Sequence, residues 1–337
     1  MINKKLLLTL ALTATLGACV NNKNNNNMEQ NEAVVYMTTD ITPEGLMKVY
    51  EALGTKPTDS DRVCVKISIG EPGGHHYLDP NLIGPLVQRV KGTIVECNTS
   101  YGGARSTTEG HLQAARDHGF CAIAPIDIMD AEGEIQLPVR DTTYLKYDLV
   151  GQNLQNYTFM VNIAHFKGHV AGGFGGVLKN QSIGCASQNG KCYQHSTGKW
   201  QDLGEFTRQL EQNGGDWFGI MESKDAFPEC MAVCAAAVHD YMKGRIVYIN
   251  VMNNLSTECD CDPNPSAPRM KDIGILASLD PVALDKACCD LVFGHTDSEG
   301  DDAQPLRERI NERHGTHIID HAAKIGLGTT KYKIVKL

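Results

Sequence analysis

From residue 34 onward, short runs of β-branched residues alternate with amphipathic stretches that carry helix-capping signals. Thr42 precedes Pro43 and Glu44, an N-cap hydroxyl followed by a ring whose fixed φ suits the first helical position, and Gly54 closes that helix. Residues 63–69 read as a strand. Asp79-Pro80 opens a second helix to about Val90, residues 93–97 form a strand, and Ser106 with Glu109 makes a capping box for a helix ending at Gly119. Farther on, residues 157–163 form a strand that enters a glycine-rich loop, and residues 229–243 an alanine-rich helix. Residues 245–252 and 273–277 are strands, and Asp280-Pro281 caps a helix to about Phe293. Strand and helix in turn at this spacing predict an α/β fold, a largely parallel or mixed sheet flanked by helices.

The N-terminus follows another pattern. Lys4 and Lys5 precede an apolar run from Leu6 to Leu16, too short to span a bilayer and the right size for a signal sequence. Leu16-Gly17-Ala18-Cys19 resembles a bacterial lipobox, which implies cleavage before Cys19 and lipid on that residue. Val20 to Gln30 contains six Asn and little that packs, so it reads as a disordered tether. The expected organisation is a signal and lipobox over residues 1–19, a tether over 20–33 and one α/β domain over 34–337. The expected location is the cell envelope, with lipid the only membrane contact.

Charge narrows the partners. The chain has 31 Lys+Arg against 40 Asp+Glu, and losing Lys4 and Lys5 with the signal takes the net charge from −9 to −11. No cationic stretch is present, which argues against nucleic-acid binding and leaves a small-molecule ligand or substrate. Of twelve cysteines, eleven follow Cys19. An odd number cannot all pair, so at least one thiol is free or bound to something else.

Candidate chemistry concentrates between Asn162 and Asn180. If the strand continues past residue 163, its period of two puts His165, Lys167 and His169 on one face. Gly172, Gly173, Gly175 and Gly176 then allow the backbone to approach a ligand and present N–H groups to it, with Lys179 and Asn180 following. The spacing matches neither a Walker A nor a dinucleotide-binding fingerprint. Downstream lie Cys185, Lys191, Cys192 and His195, and then Cys259-Asp260-Cys261. On extended backbone the last two thiols face one way. They are either a soft metal pair completed by a His or Cys from elsewhere, or structural or disulfide-bonded cysteines. No Cys-x-x-Cys-x-x-Cys occurs, so the spacing does not support 4Fe-4S clusters.

Several segments resemble the domain-of-unknown-function 362 family, in matching order from about residue 35 to the C-terminus. They are Val65-Lys66-Ile67, Glu96-Cys97-Asn98-Thr99, His165-Phe166-Lys167-Gly168-His169, Gly173-Phe174-Gly175-Gly176, Lys179-Asn180 and Gly184-Cys185-Ala186-Ser187. Gln194-His195-Ser196, Cys259-Asp260-Cys261 and the stretch from Asp272 to Ala283 complete the set. The resemblance implies an α/β domain of unsettled activity. Many relatives carry a ferredoxin-like insert after the position of His195; here Ser196 to Phe227 contains no cysteine. A fainter similarity, to nickel-pincer lactate racemases, lies in His169, the Gly172 to Gly176 run, Lys179 and His195. It implies covalent attachment of a cofactor at Lys179 and metal ligation by His195. Ala104, before Arg105, stands where that family has a proton-transferring His.

Together these readings assign catalysis to His165, His169 and Lys179. Cofactor contact falls to Lys167, Gly172, Gly173, Gly175, Gly176, Lys179 and Asn180. A transition metal (Ni, Fe or Zn) would be held by His195, Cys185, Cys259 and Cys261. The expected protein is an enzyme that uses a metal or a metal-bearing cofactor. The alternative is a noncatalytic module whose glycine loop captures a small anion and whose cysteines form disulfides. Cys230 and Cys234, one helical turn apart, and the adjacent Cys288 and Cys289 read as packing thiols. His75-His76 reads as a loop, and His314, His317 and His321 as a solvated terminal helix interrupted by Gly315. No GxSxG elbow is present.

Overall fold

Eight strands make one sheet in the computed structural model, which describes residues 32–337; the signal, the lipobox with Cys19 and nearly all of the tether lie outside the described residues. In spatial order the strands are Tyr332–Lys336, Ala33–Thr38, Gly274–Ser278, Ile246–Met252, Phe159–His165, Val63–Lys66, Thr93–Glu96 and Ile126–Ile128. The last five are mutually parallel. Gly274–Ser278 runs antiparallel to both neighbours, and Tyr332–Lys336 is parallel to Ala33–Thr38. The sheet is therefore mixed and largely parallel, as the alternation of elements predicts.

Strand residues alternate between two cores, as a period of two requires when helices cover both faces. Val63, Val65, Phe159, Val161 and Ile163 join the core under helices Pro43–Ala52 and Pro80–Arg89. Cys64, Met160 and Ala164 point to the opposite core, under helices Val177–Cys185, Ala226–Tyr241 and Pro281–Phe293. Cys230 and Cys234 are buried in a small cluster with Leu145 and Tyr193, and Cys288 and Cys289 in the second core. All four pack as their helical spacing predicts.

Three expected caps form. Thr42 accepts from the N–H of Gly45, Asp79 from that of Asn81, and Asp280 from those of Val282 and Ala283. A fourth shifts: Ser106 belongs to a preceding 3-10 turn, and Thr107 caps helix Thr108–Asp117 by accepting from Gly110 N–H. The end strands Ala33–Thr38 and Tyr332–Lys336 have no counterpart in the sequence reading; they pair with each other across the length of the chain. Among the described residues, no helix is long and apolar enough to cross a membrane.

The topology places the site. From Val63–Lys66 the next two parallel strands add on one side, whereas Phe159–His165 and Ile246–Met252 add on the other. Neighbouring loops diverge where strand order reverses, opening a crevice at the strands' C-terminal ends. Lys66, Glu96 and His165, the last residues of their strands, gather there.

Candidate functional site

Lys66 ends a strand whose residues are all buried, so its ammonium must find partners inside the protein. It donates to Glu96 Oε2 at 2.7 Å, to Asn180 Oδ1 at 3.2 Å and to Ile67 O. Gly184 makes room for it, since a Cβ there would stand 2.6 Å from Lys66 Nζ. Arg105 Nε donates to Glu71 Oε1 at 2.8 Å, and its Nη1 lies 3.7 Å from Glu96 Oε1. Tyr101 donates to the same Glu71 oxygen at 2.9 Å. Lys191 donates to Ala186 O at 2.6 Å. Four cations with two carboxylates, Glu96 and Asp260, thus wall a cleft that the net charge of the chain gives no hint of, and Glu71 backs Arg105. The fourth of these cations, Lys167, pairs with Asp260, both almost fully buried.

A fifth cation is different in kind. Lys179, half-buried in the first turns of helix Val177–Cys185, has no hydrogen-bond or ion-pair partner for its Nζ among the described residues. Burial disfavours its charged form, and Lys66 and then Lys167 add repulsion, so its pKa falls from 10.5 to about 7. The amine is thus substantially unprotonated, hence nucleophilic, at neutral pH.

The histidines have defined tautomers. His165 Nε2 lies 2.6 Å from Asn253 O, which can only accept; Nε2 carries the proton, and Nδ1 accepts from Lys167 Nζ at 2.6 Å. Burial alone would raise the pKa of Asp260, but the Lys167 ammonium overcomes that and holds the carboxyl well below its usual range. His169 Nδ1 accepts from the N–H groups of Gly172 at 2.9 Å and Ala171 at 3.2 Å, so its proton sits on Nε2. His195 is the reverse. Its Nδ1 donates to Lys191 O at 2.7 Å, leaving a lone pair on Nε2, and the ring stacks on Phe227. Burial first, and nearby Lys179 second for His169, keep both rings neutral: His169 falls well below the usual range and His195 to about 4. One cleft therefore holds an imidazole N–H donor and an imidazole acceptor.

The cleft has connected lobes. An outer lobe of about 350 Å³ is lined by Tyr101, His169, Val170, His195, Trp217 and Phe218. Tyr101, His169, His195 and Cys261 also line an inner lobe of about 80 Å³ that reaches Lys66, Glu96, Arg105, Lys179 and Lys191. Lys179 and Asn180 in turn border a recess of about 30 Å³ with His165, Lys167, Gly175, Gly176 and Asp260. The structure therefore brings His165, Lys167, His169, Lys179, Asn180, His195, Cys259 and Cys261 to one crevice. Cys185 is not brought there: it is fully buried in the core, where desolvation pushes its thiol up to about 12.

The glycine run differs from its expected role. The strand breaks after His165, where Phe166 N–H bonds to Val251 O, and Lys167–His169 pairs instead with Gly173–Gly175 as a hairpin. Its glycines mostly allow close packing. Gly173 has φ +80° and packs 2.8 Å, as a Cβ would measure it, from Gly315 Cα; a Cβ on Gly176 would meet Asp285 Oδ1 at 2.3 Å. Asp285 accepts from the N–H groups of Val177 and Leu178, both at 3.0 Å. These donors, and those of Ala171 and Gly172, are taken within the protein, whereas Gly175 and Gly176 border the recess beside Lys179.

Cys259 and Cys261 are joined as a disulfide, one of the two readings open to that pair, and His169 offers a nitrogen within 4.8 Å of both sulfurs. The other nine described cysteines are free, and all but Cys121 are buried. Asp260, Lys66, Glu96, Glu71 and Arg105 are site residues that the motif reading leaves unassigned. A lysine inside a β-branched run, as in Val65-Lys66-Ile67, is the signal that could find such a group, because a buried ammonium demands a counter-charge.

An α/β protein with a cation-lined cleft at its topological switch point is thus defined. The family model described as "Domain of unknown function (DUF362)" matches residues 63–290, and the chain belongs to that family. No curated protein matches the chain. The solved structures similar to it include two of low sequence identity. One is the lactate racemase apoprotein from Thermoanaerobacterium thermosaccharolyticum, with 13% identity, a TM-score of 0.44, and coverage of 78% of this chain and 57% of that one. The other is a protein from Thermotoga maritima, with 14% identity, a TM-score of 0.41, and coverage of 73% and 57%. The chain spans little more than half the length of either.

Proposed function

We propose that this cleft belongs to an enzyme that takes a small organic anion carrying a carbonyl group and holds it on Lys179. The Lys179 amine carries this reading: partnerless among the described residues, with a pKa near 7, and set among four other cations. Its lone pair adds to the carbonyl carbon, water leaves, and an imine joins ligand to protein. The surrounding cations draw in the anionic group. His195 Nε2 accepts a proton and His169 Nε2–H donates one, both in the outer lobe where the rest of the ligand would lie.

A metal-bearing organic cofactor fits the same two groups, Lys179 for attachment and the free Nε2 lone pair of His195 as a ligand; such a group would supply a Lewis acid. Ala104 is exposed and offers no acid or base, so a racemisation needing a second imidazole from that loop is not part of the proposal. The rival, a noncatalytic module with an anion-binding glycine loop and many disulfides, is disfavoured by the nine free thiols among the described residues.

A second reading concerns Cys259, Cys261 and His169, whose donor atoms lie within 4.8 Å of one another. Reduced, the two thiolates would hold a soft or borderline metal; His169 fits less well, because its lone pair is on Nδ1, bonded to two backbone N–H groups. Metal analysis of anaerobically reduced protein tests this, and the lack of any metal lost on Cys259→Ser would end it. The envelope location also remains a proposal, resting on Leu16-Gly17-Ala18-Cys19; incorporation of a labelled fatty acid should vanish in Cys19→Ser.

The test of the main proposal is reductive trapping. Incubation with a small 2-oxo acid and cyanoborohydride should add the mass of one ligand less one oxygen, mapped to Lys179 and absent from Lys179→Met. Labelling scattered over surface lysines would refute it.

A further inference from the structure

Outside the cleft, helix His317–Lys324 packs on helix Ala226–Tyr241. His317 and His321 are four residues apart and share one face of their helix. Glu229, in the first turn of the other helix, meets both: its Oε1 lies 2.8 Å from His317 Nε2 and 3.6 Å from His321 Nδ1. Behind the His321 ring, Asp141 Oδ2 stands 3.3 Å from Nε2, yet that nitrogen makes no hydrogen bond among the described residues. His321 is 2% exposed, while His317 and Glu229 are half-buried, so the group is reachable from solvent on one side.

We infer that Glu229 Oε1, His317 Nε2 and His321 Nδ1 form a site for one divalent metal ion of the Zn²⁺ class, with Asp141 behind His321 to orient it. The spacing suits such an ion. Donors bonded at about 2.0–2.1 Å in a tetrahedron stand about 3.3 Å apart, against the 2.8 and 3.6 Å seen. Proton placement points the same way. A neutral imidazole has a single N–H, but His321 faces a carboxylate at each nitrogen, so one carboxylate must confront a lone pair. A cation at Nδ1 resolves the conflict, because Nε2–H is then free to donate to Asp141, the carboxylate–histidine–metal arrangement that fixes ring and tautomer. Two carboxylates also balance one divalent charge. Two imidazoles and a carboxylate are a borderline donor set, which selects Zn²⁺ and its neighbours over Mg²⁺ or Ca²⁺. A fourth position is left for water. None of the four residues lines the cleft, so the site is separate from the one built around Lys179. Its effect would be to pin a short C-terminal helix to the longest helix among the described residues.

The experiment uses the full chain stripped with chelator, with Cys259→Ser/Cys261→Ser protein alongside to remove the cleft thiols. Calorimetric titration with Zn²⁺ should show one equivalent bound in both, with affinity at least tenfold weaker in His317→Gln. Saturating Zn²⁺ should raise the melting temperature of the first two proteins and not of His317→Gln. Co²⁺ substitution of the unmutated chain gives a readout that needs no variant: visible d–d bands without a thiolate charge-transfer band are expected. Absence of Zn²⁺ binding, binding undiminished in His317→Gln, or Co²⁺ d–d bands that are lost from the cysteine-substituted protein would each overturn the site.

Discussion

Replacing Lys66 with Met should return the Lys179 amine toward ordinary lysine behaviour. Burial is the largest influence that lowers Lys179 to about 7, and Lys66 is the next. At pH 7 such an amine is about half free base, against about 0.03% for a pKa of 10.5, a gain of more than a thousandfold. Lower basicity reduces intrinsic nucleophilicity by about 25- to 55-fold if the Brønsted slope resembles the 0.4–0.5 of thiols, so the net advantage is about 30- to 60-fold. Lys66→Met removes a like charge and releases Glu96, now 2.7 Å from Lys66 Nζ, to act on the cleft. Both changes favour protonated Lys179 and should raise its pKa by about one unit or more. The assay is carbamylation by cyanate across a pH series, with the Lys179 peptide quantified by mass spectrometry. The midpoint of its rate profile should lie near 7 in the native protein and move upward in Lys66→Met. A native midpoint in the ordinary lysine range, or one that does not move upward in the variant, would refute the electrostatic reasoning.

Three further outcomes are expected. Asp260→Asn leaves the Lys167 ammonium buried without its counter-ion and should cost about 3–5 kcal/mol in chemical denaturation, most of it recovered in Lys167→Met/Asp260→Leu. Because the Asp260 carboxyl titrates well below its usual range when folded, its stabilisation is present above about pH 4 and lost as pH falls through the folded value; Asp260→Asn should lack that acid limb. Asp148 has the opposite sign: burial raises it to about 7, and its Oδ2 has no partner among the described residues, so stability is lost as pH rises from the ordinary carboxyl value to the folded value of about 7. Asp148→Asn should therefore be more stable than the native protein at pH 8, by about 2–4 kcal/mol, with the advantage shrinking at pH 5. Gly176→Ala drives a Cβ into Asp285, which caps Val177 and Leu178, and a melt should show a loss of about 1–3 kcal/mol; an unchanged melting temperature would contradict the cap.

What the sequence reveals and what it hides follow from the range of each interaction. Thr42, Asp79 and Asp280 are legible as caps because a cap binds an N–H two or three residues away. His165, His169, Lys179 and His195 are legible as a group because they crowd into one segment. Their counter-charges are not, since Asp260 lies 95 residues from His165 and Glu96 lies 30 from Lys66. The glycine run illustrates a second limit. Composition shows that backbone can come close to something there, but not that the neighbours are Gly315 and Asp285 rather than a ligand. The terminal histidines illustrate a third: Gly315 breaks the apparent periodicity, yet the helix starts only at His317, so His317 and His321 share a face after all.

The central claim is that the cation-lined cleft delivers an anionic carbonyl compound to the Lys179 amine. A head-to-head trapping experiment tests it most directly, with cyanoborohydride, equal concentrations of a small 2-oxo acid and its uncharged methyl ester, and peptide mapping of the product. The account expects Lys179 to be the labelled residue, the acid to be taken in preference to the more electrophilic ester, and the label to vanish in Lys179→Arg. Equal or preferred reaction of the ester, or labelling that persists elsewhere in Lys179→Arg at the same rate, would contradict it.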